Sequence, residues 1–187
     1  MTHAPLLTAG KRIAAGRGLA PALLARAPEV ALDWDTRRRS RFEASTSDGR
    51  RLGVFLPRGQ VLRGGDVLVA ADGALIRVVA AAQPVMVVRA AHGAPLDLLR
   101  ASYHLGNRHV PLELRADHLK LEPDPVLAAM LRALALDVSE VLAAFEPETG
   151  AYAEHPGAHP GGGHAHPHGP HDHGGLPSAH RHDPHAH

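Results

Sequence analysis

From residue 41 to residue 80, short apolar runs alternate with polar turn signals: "SDGR" at 47–50, "RGG" at 63–65 and "ADGA" at 71–74. Such punctuation predicts strands joined by tight turns. "DVLVA" and "ALIRVVA" read as the two arms of one hairpin, and "RRLGVFLP" as another strand. Asp-Gly predicts a type I′ turn, in which both central residues carry positive φ. "RGLAPALLARAP" reads as a short helix or a loop. The glycines fall in turns and match no phosphate-cradling loop. Residues 1–83 are therefore predicted to form an all-β domain, with no catalytic constellation in it.

The pattern changes after residue 83. "PVMVVRA" (84–90) has the continuous apolar character of a buried strand. Pro95 and Asp97 then open a helix whose apolar positions Leu98, Ala101 and Leu105 follow the three-then-four spacing of an amphipathic face. Gly106 is expected as the left-handed residue that ends it. "VPLEL" (110–114) alternates with Val110, Leu112 and Leu114 on one side, and "HLKLE" (118–122) alternates through Leu119 and Leu121. Asp124 caps and Pro125 opens a second helix, with Leu127, Met130, Leu131 and Leu134 facing inward. The order strand, helix, strand, strand, helix needs one closing strand to make a ferredoxin-like βαββαβ unit over 84–152. "VSEVLAAFE" (138–146) is assigned that role on topology alone, because Ser139 before "EVLAAF" equally suggests a capped helix. The fold class is thus α+β. Residues 153–187, rich in Gly, Pro and His with one isolated leucine, cannot offset the entropy of ordering and are expected to be a disordered tail.

Charge narrows the partners. The 20 Lys and Arg residues nearly balance the 19 Asp and Glu, so no global field favours nucleic acid or a membrane surface. The basic run "TRRRSR" (36–41) is read as a solvated strand face rather than a phosphate patch. The absence of cysteine excludes disulfides and thiolate metal sites. The N-terminus has no signal-peptide pattern, and "VLAAMLRALAL" (126–136) is too short to span a bilayer, so a cytoplasmic location is expected.

Histidine carries the chemistry. Of 16 histidines, 11 lie between His155 and His187. His155, His159, His164, His166, His168, His171 and His173 put several neutral imidazoles on one tether, with Asp172 as a possible oxygen donor. Such nitrogen ligands suit Ni(II), Cu(II) or Zn(II) and do not by themselves separate the three. The competing reading is a solubilising low-complexity extension.

"SYHLGNRHVPLEL" (102–114) contains two further histidines, His104 and His109. At about 100° per residue, five positions point two helical rings apart, so they do not form a one-face pair. On the residues alone His109 reads as a loop histidine. A symmetric dimer would nonetheless give a single imidazole its own copy as a second ligand. The apolar helix 125–136, with only Arg132 charged, leaves surface for such a partner.

"YHLGNRHVPLEL" (103–114), then "FEPETGAY" (145–152) and a histidine-rich tail, together resemble the UreE family of urease accessory proteins. The resemblance implies a homodimer with an N-terminal peptide-binding-like β domain and a C-terminal metal-binding domain. It implies that His109 faces its symmetry mate and binds nickel between subunits, with tail histidines completing the coordination. It implies a nickel metallochaperone for urease metallocentre assembly, without catalytic turnover, whose partners include the urease apoenzyme and a maturation GTPase. His104 is kept as a structural or supporting histidine. The histidine cluster some relatives carry before the second helix is absent from "LEPDPVL" (121–127), so that site is not transferred. The alternative is a general nickel or zinc storage protein acting through its tail. A metallohydrolase is disfavoured, because no "HExxH" or equivalent pairing occurs.

Overall fold

Two Asp-Gly hairpins organise the first half. The structure, a computed structural model, describes residues 6–91 and 94–149. Strands β3 (Arg41–Ser45) and β4 (Arg51–Phe55) pair antiparallel, as do β5 (Val67–Ala70) and β6 (Leu75–Ala80). Neither hairpin turn is type I′. Only Gly49 and Gly73 have positive φ, at 82° and 86°, while Asp48 and Asp72 do not. In each, the glycine N–H donates to the carbonyl three residues back, Thr46 or Ala70. A three-residue loop with one left-handed glycine therefore replaces the two-residue turn. It needs positive φ only where there is no Cβ to object.

With β1 (Leu7–Ile13) and β2 (Glu29–Leu32) these strands form a six-stranded sheet in the order β2-β6-β5-β1-β4-β3. β1 runs parallel to β4, and β2 parallel to β6. Its core centres on Val30, Leu52, Val54, Leu68, Ile76 and Val78, all sealed from solvent. Two short helices interrupt the strands, α1 (Pro21–Arg26) and α2 (Trp34–Arg37). Asp33 caps α2 by accepting from the Thr36 N–H at 2.8 Å, and that hydrogen bond holds its carboxyl below the ordinary value. The basic run therefore begins in a helix rather than on a strand. Arg37 is completely buried, which corrects the expectation of a solvated face, whereas Arg38 and Arg39 are exposed.

The second sheet contains β7 (Ala82–Ala90), β8 (Glu113–Leu114), β9 (Leu119–Leu121) and β10 (Leu136–Ala144), in the order β10-β7-β9-β8 with every neighbour antiparallel. Helices α3 (Pro95–Gly106) and α4 (Pro125–Ala133) fall between β7 and β8 and between β9 and β10. Leu98, Ala101 and Leu105 are buried as their spacing required. On α4, Leu131 and Ala128 are buried and Leu127 and Met130 pack partly, but Leu134 is exposed. Asp124 accepts from the N–H groups of Val126 and Leu127. The ambiguous segment is a strand. β10 pairs with β7 along a nine-residue register from Leu136↔Ala90 to Ala144↔Ala82, a ladder that a one- or two-turn helix could not match in hydrogen bonds. No helix among the described residues is long and apolar enough to cross a membrane.

"VPLEL" departs from its alternation. Leu112 is buried, but so is Glu113, while Leu114 is 45% exposed. The inward carboxylate is fully engaged. Its Oε1 lies 2.8 Å from Arg115 Nε and 3.0 Å from Lys120 Nζ, and its Oε2 accepts from the Glu146 N–H at 2.7 Å. Burial pushes the Glu113 carboxyl up, yet the Glu146 amide, Lys120 and Arg115 together hold it below its ordinary value.

Candidate metal centre

The bend after α3 is built by hydrogen bonds rather than by glycine. Gly106 is helical, not left-handed; the left-handed residue is His109, with φ of 56°. The Val110 N–H donates to Leu105 O at 3.2 Å and the His109 N–H to Gly106 O at 2.9 Å. This is the paired six-to-one and five-to-two pattern of a Schellman motif, with His109 in the place glycine usually takes. Leu105 and Val110 pack in the same core, the apolar contact that accompanies such an ending. Arg108 also bonds back, its Nη1 donating to His104 O at 2.9 Å. A left-handed non-glycine residue costs about 1–2 kcal/mol. Ala15 and Ala135 adopt the same conformation, so the strain alone does not mark function.

What distinguishes His109 is where its ring stands. The side chain is exposed and sits on the rim of a groove of about 490 Å³. Its lining includes the apolar Val110, Pro111, Leu112 and Leu114 together with Trp34, Arg38, Glu148 and Thr149. The groove thus joins the bend that carries His109 to the last described residues before the histidine-rich segment.

The other histidines, among them the seven predicted tail ligands, divide simply. His155, His159, His164, His166, His168, His171 and His173 lie outside the described residues, as do His3 and His92. His104 is half-buried on α3, edge-on to Tyr103 with 5.6 Å between ring centroids, and does not line the groove. His118 is tied to its neighbour, with Nδ1 2.8 Å from Asp117 Oδ1. Among the described residues no three His, Asp or Glu side chains converge as a metal cage. A single protomer therefore offers, in this region, one exposed imidazole with room around it.

Sequence reasoning missed the cluster behind the groove. Trp34 packs edge-on against Phe145, with ring centroids 6.1 Å apart, and carries the guanidinium groups of Arg63 and Arg37 at 5.0 and 5.3 Å from its ring. Glu146 lies 2.9 Å from Arg37 Nη1 and 3.2 Å from Arg63 Nη1. The "FEPE" phrase was a visible signal. Its partners, drawn from residues 34 to 64, were not deducible from spacing.

Two family models match in tandem, the UreE urease accessory protein N-terminal domain over residues 9–81 and its C-terminal domain over residues 83–187. The chain is 67% identical over 151 residues to the urease accessory protein UreE of Methylibium petroleiphilum, covering 80% of this chain and 70% of the relative. It is 62% identical over 156 residues to the protein of that name from Albidiferax ferrireducens, covering 82% and 90%. For the Burkholderia lata protein the identity is 56% over 145 residues, covering 78% and 69%. Matched along its length at both levels, the chain belongs to the UreE family of urease accessory proteins.

Proposed function

We propose that the protein is a homodimeric cytoplasmic carrier of Ni(II), without catalytic turnover, that delivers the ion for assembly of the urease metallocentre. Two protomers each contribute His109, and histidines of the C-terminal segment complete the coordination. Urease apoenzyme and the other accessory proteins, including the maturation GTPase, receive the loaded carrier. Zn(II) and Cu(II) compete for the same nitrogen ligands.

The observation that carries this reading is the placement of His109: exposed, at the tip of a hydrogen-bonded bend, on a groove that also receives Glu148 and Thr149. A lone imidazole is a weak ligand, and a second copy supplies the next one at no cost in sequence. The helix leading to the bend also supports a dimer. Leu96, Leu99 and Tyr103 recur at three- and four-residue spacing on α3 and are 54%, 65% and 68% exposed. An apolar stripe of that kind is suited to cover by a second copy. The strand order β10-β7-β9-β8, with its two interposed helices, supports reading residues 84–152 as a ferredoxin-like domain. We place its boundary with the β-rich domain of residues 1–83 near the start of β7, and the start of the histidine-rich tail at 153.

Nickel titration of the full chain tests the proposal, alongside His109→Ala and a variant with the eleven histidines from His155 to His187 replaced by Asn. The carrier reading expects one tight ion per dimer that His109→Ala removes, and weaker ions that the tail variant removes. Tight binding that survives His109→Ala, or a monomer in the presence of nickel, would leave only a storage role for the tail.

A further inference from the structure

We infer that Glu148 is a metal ligand, its carboxylate joining the His109 imidazole so that each protomer gives the bound ion one nitrogen and one oxygen donor. This rests on the reading above, in which His109 holds nickel between two subunits. Glu148 and His109 line the same groove of about 490 Å³, and both are exposed. Their backbones are also tied together, because the Glu148 N–H donates to Leu112 O at 2.8 Å, three residues beyond His109. The residues leading to Glu148 are anchored one after another. Arg37 Nη2 donates to Phe145 O, and the Glu146 N–H donates to Glu113 Oε2 at 2.7 Å. Pro147 is buried, and its carbonyl accepts from Arg63 Nη1 at 2.6 Å. The main chain at Glu148 is therefore fixed, and what stays unengaged is its side chain.

Elimination among the carboxylates points the same way. Glu113 is taken by Arg115, Lys120 and the Glu146 amide. Glu146 is taken by Arg37 at 2.9 Å, Arg63 at 3.2 Å and the Gly64 N–H at 2.8 Å. Arg38, the cation in the groove lining, faces Asp35 at 3.8 Å. Among the described residues the Glu148 carboxylate has neither an ion-pair nor a hydrogen-bond partner. It stands beside the apolar Val110, Pro111, Leu112 and Leu114. A carboxylate in such surroundings, without a cation of its own, gains by receiving one.

The consequence is a ligand set of defined chemistry. No three His, Asp or Glu side chains of one protomer converge among the described residues, and a second copy meets that deficit by doubling the pair. Two imidazole nitrogens and two carboxylate oxygens form a mixed set, which suits nickel and cupric ions in tetragonal geometry. Imidazole suits nickel better than carboxylate does, so the mixed set holds the ion less tightly than four rings would. A carrier that must give up its ion needs such a site.

The test uses the full-length chain with the eleven histidines from His155 to His187 replaced by Asn, so that only the tight ion is read. Nickel titration and electron paramagnetic resonance of bound Cu(II) are compared for this parent and its Glu148→Gln and Glu148→His variants. Glu148→Gln is expected to weaken nickel binding at least about tenfold. Glu148→His returns a donor to the same place. It should bind nickel at least as tightly as the parent, and its Cu(II) should couple to four imidazole nitrogens in place of two. A residue that only shapes the groove would not add nitrogens. Parent affinity in Glu148→Gln, or two nitrogens in Glu148→His, would overturn the inference. Infrared difference spectra of the parent on nickel loading need no variant: a shifted carboxylate stretch is expected, and an unshifted one overturns the inference as well. A parent without a tight ion, or with one that His109→Ala leaves in place, would instead defeat the underlying reading, and is recognised before any Glu148 variant is made.

Discussion

Arg37 and Glu146, 109 positions apart in sequence, meet at 2.9 Å with the arginine wholly sealed from solvent and the glutamate a quarter exposed. Arg37 also donates to the carbonyls of Leu32, Leu62 and Phe145, so its donors are spread over three segments. Removing Arg37 leaves Glu146 with Arg63 and the Gly64 N–H, but it takes a donor from the buried Leu62 and Phe145 carbonyls, and a buried acceptor left unsatisfied costs about 1–3 kcal/mol. Arg37→Ala is therefore expected to lower the unfolding free energy by about that amount in urea denaturation followed by Trp34 fluorescence. Arg38→Ala and Arg39→Ala, which truncate exposed side chains of the same basic run, should stay within about 0.5 kcal/mol of the parent. Equal effects at the three positions would contradict the special burial of Arg37.

At His109 stability and metal binding should part company. His109→Gly relieves a left-handed side chain and should raise stability by up to about 1 kcal/mol, while abolishing the tight nickel site that we propose. His109→Ala keeps the strain and loses the imidazole, so it should bind no better and gain no stability. Thermal unfolding of the metal-free proteins separates the two variants. A glycine variant less stable than the alanine one would show that the imidazole itself holds the bend.

Glu113 makes an acid-sensitive joint. Its folded-state pKa lies below the ordinary 4.5, so its contribution to stability is full above that value and is lost as pH falls through the depressed one. Glu113→Gln should therefore destabilise the protein at neutral pH and flatten the dependence of its urea midpoint on pH in the acid range. The parent's midpoint should drop more steeply between about pH 5 and pH 3. Parallel acid limbs for the two proteins would show that Glu113 does not contribute.

Nickel should leave as imidazoles protonate. Free imidazole of a histidine side chain titrates near about 6.5, and only the neutral ring binds metal. Ion occupancy of the full chain, read by dialysis, is expected to fall through that range and to be minor at about pH 5. Occupancy that stays flat into clear acidity would point to oxygen ligands.

Much of the fold was legible because periodicity is a local property. The inward face of α3, the Asp124 cap and the arms of the β5–β6 hairpin all follow from residues within a few positions of one another. The hairpins show where locality begins to fail. Asp-Gly predicted a turn correctly, but the turn type depended on how many residues the paired strands left unpaired. The left-handed residue likewise passed from Gly106 to His109, because Leu105 and Val110 pack together and that contact sets the length of the ending.

The sequence by itself determined the α+β order of elements, the concentration of imidazole beyond residue 154 and the family to which the "GNRH" and "FEPE" phrases point. Tertiary structure decided which charges lie inside. Nothing near Arg37 or Glu113 in the chain distinguishes them from their exposed neighbours. A charge is tolerated in the interior only when partners from distant segments converge on it, and convergence of that kind is a property of the folded molecule. The same holds for β10, whose residues suit helix or strand equally and which becomes a strand because β7 presents nine matching backbone positions.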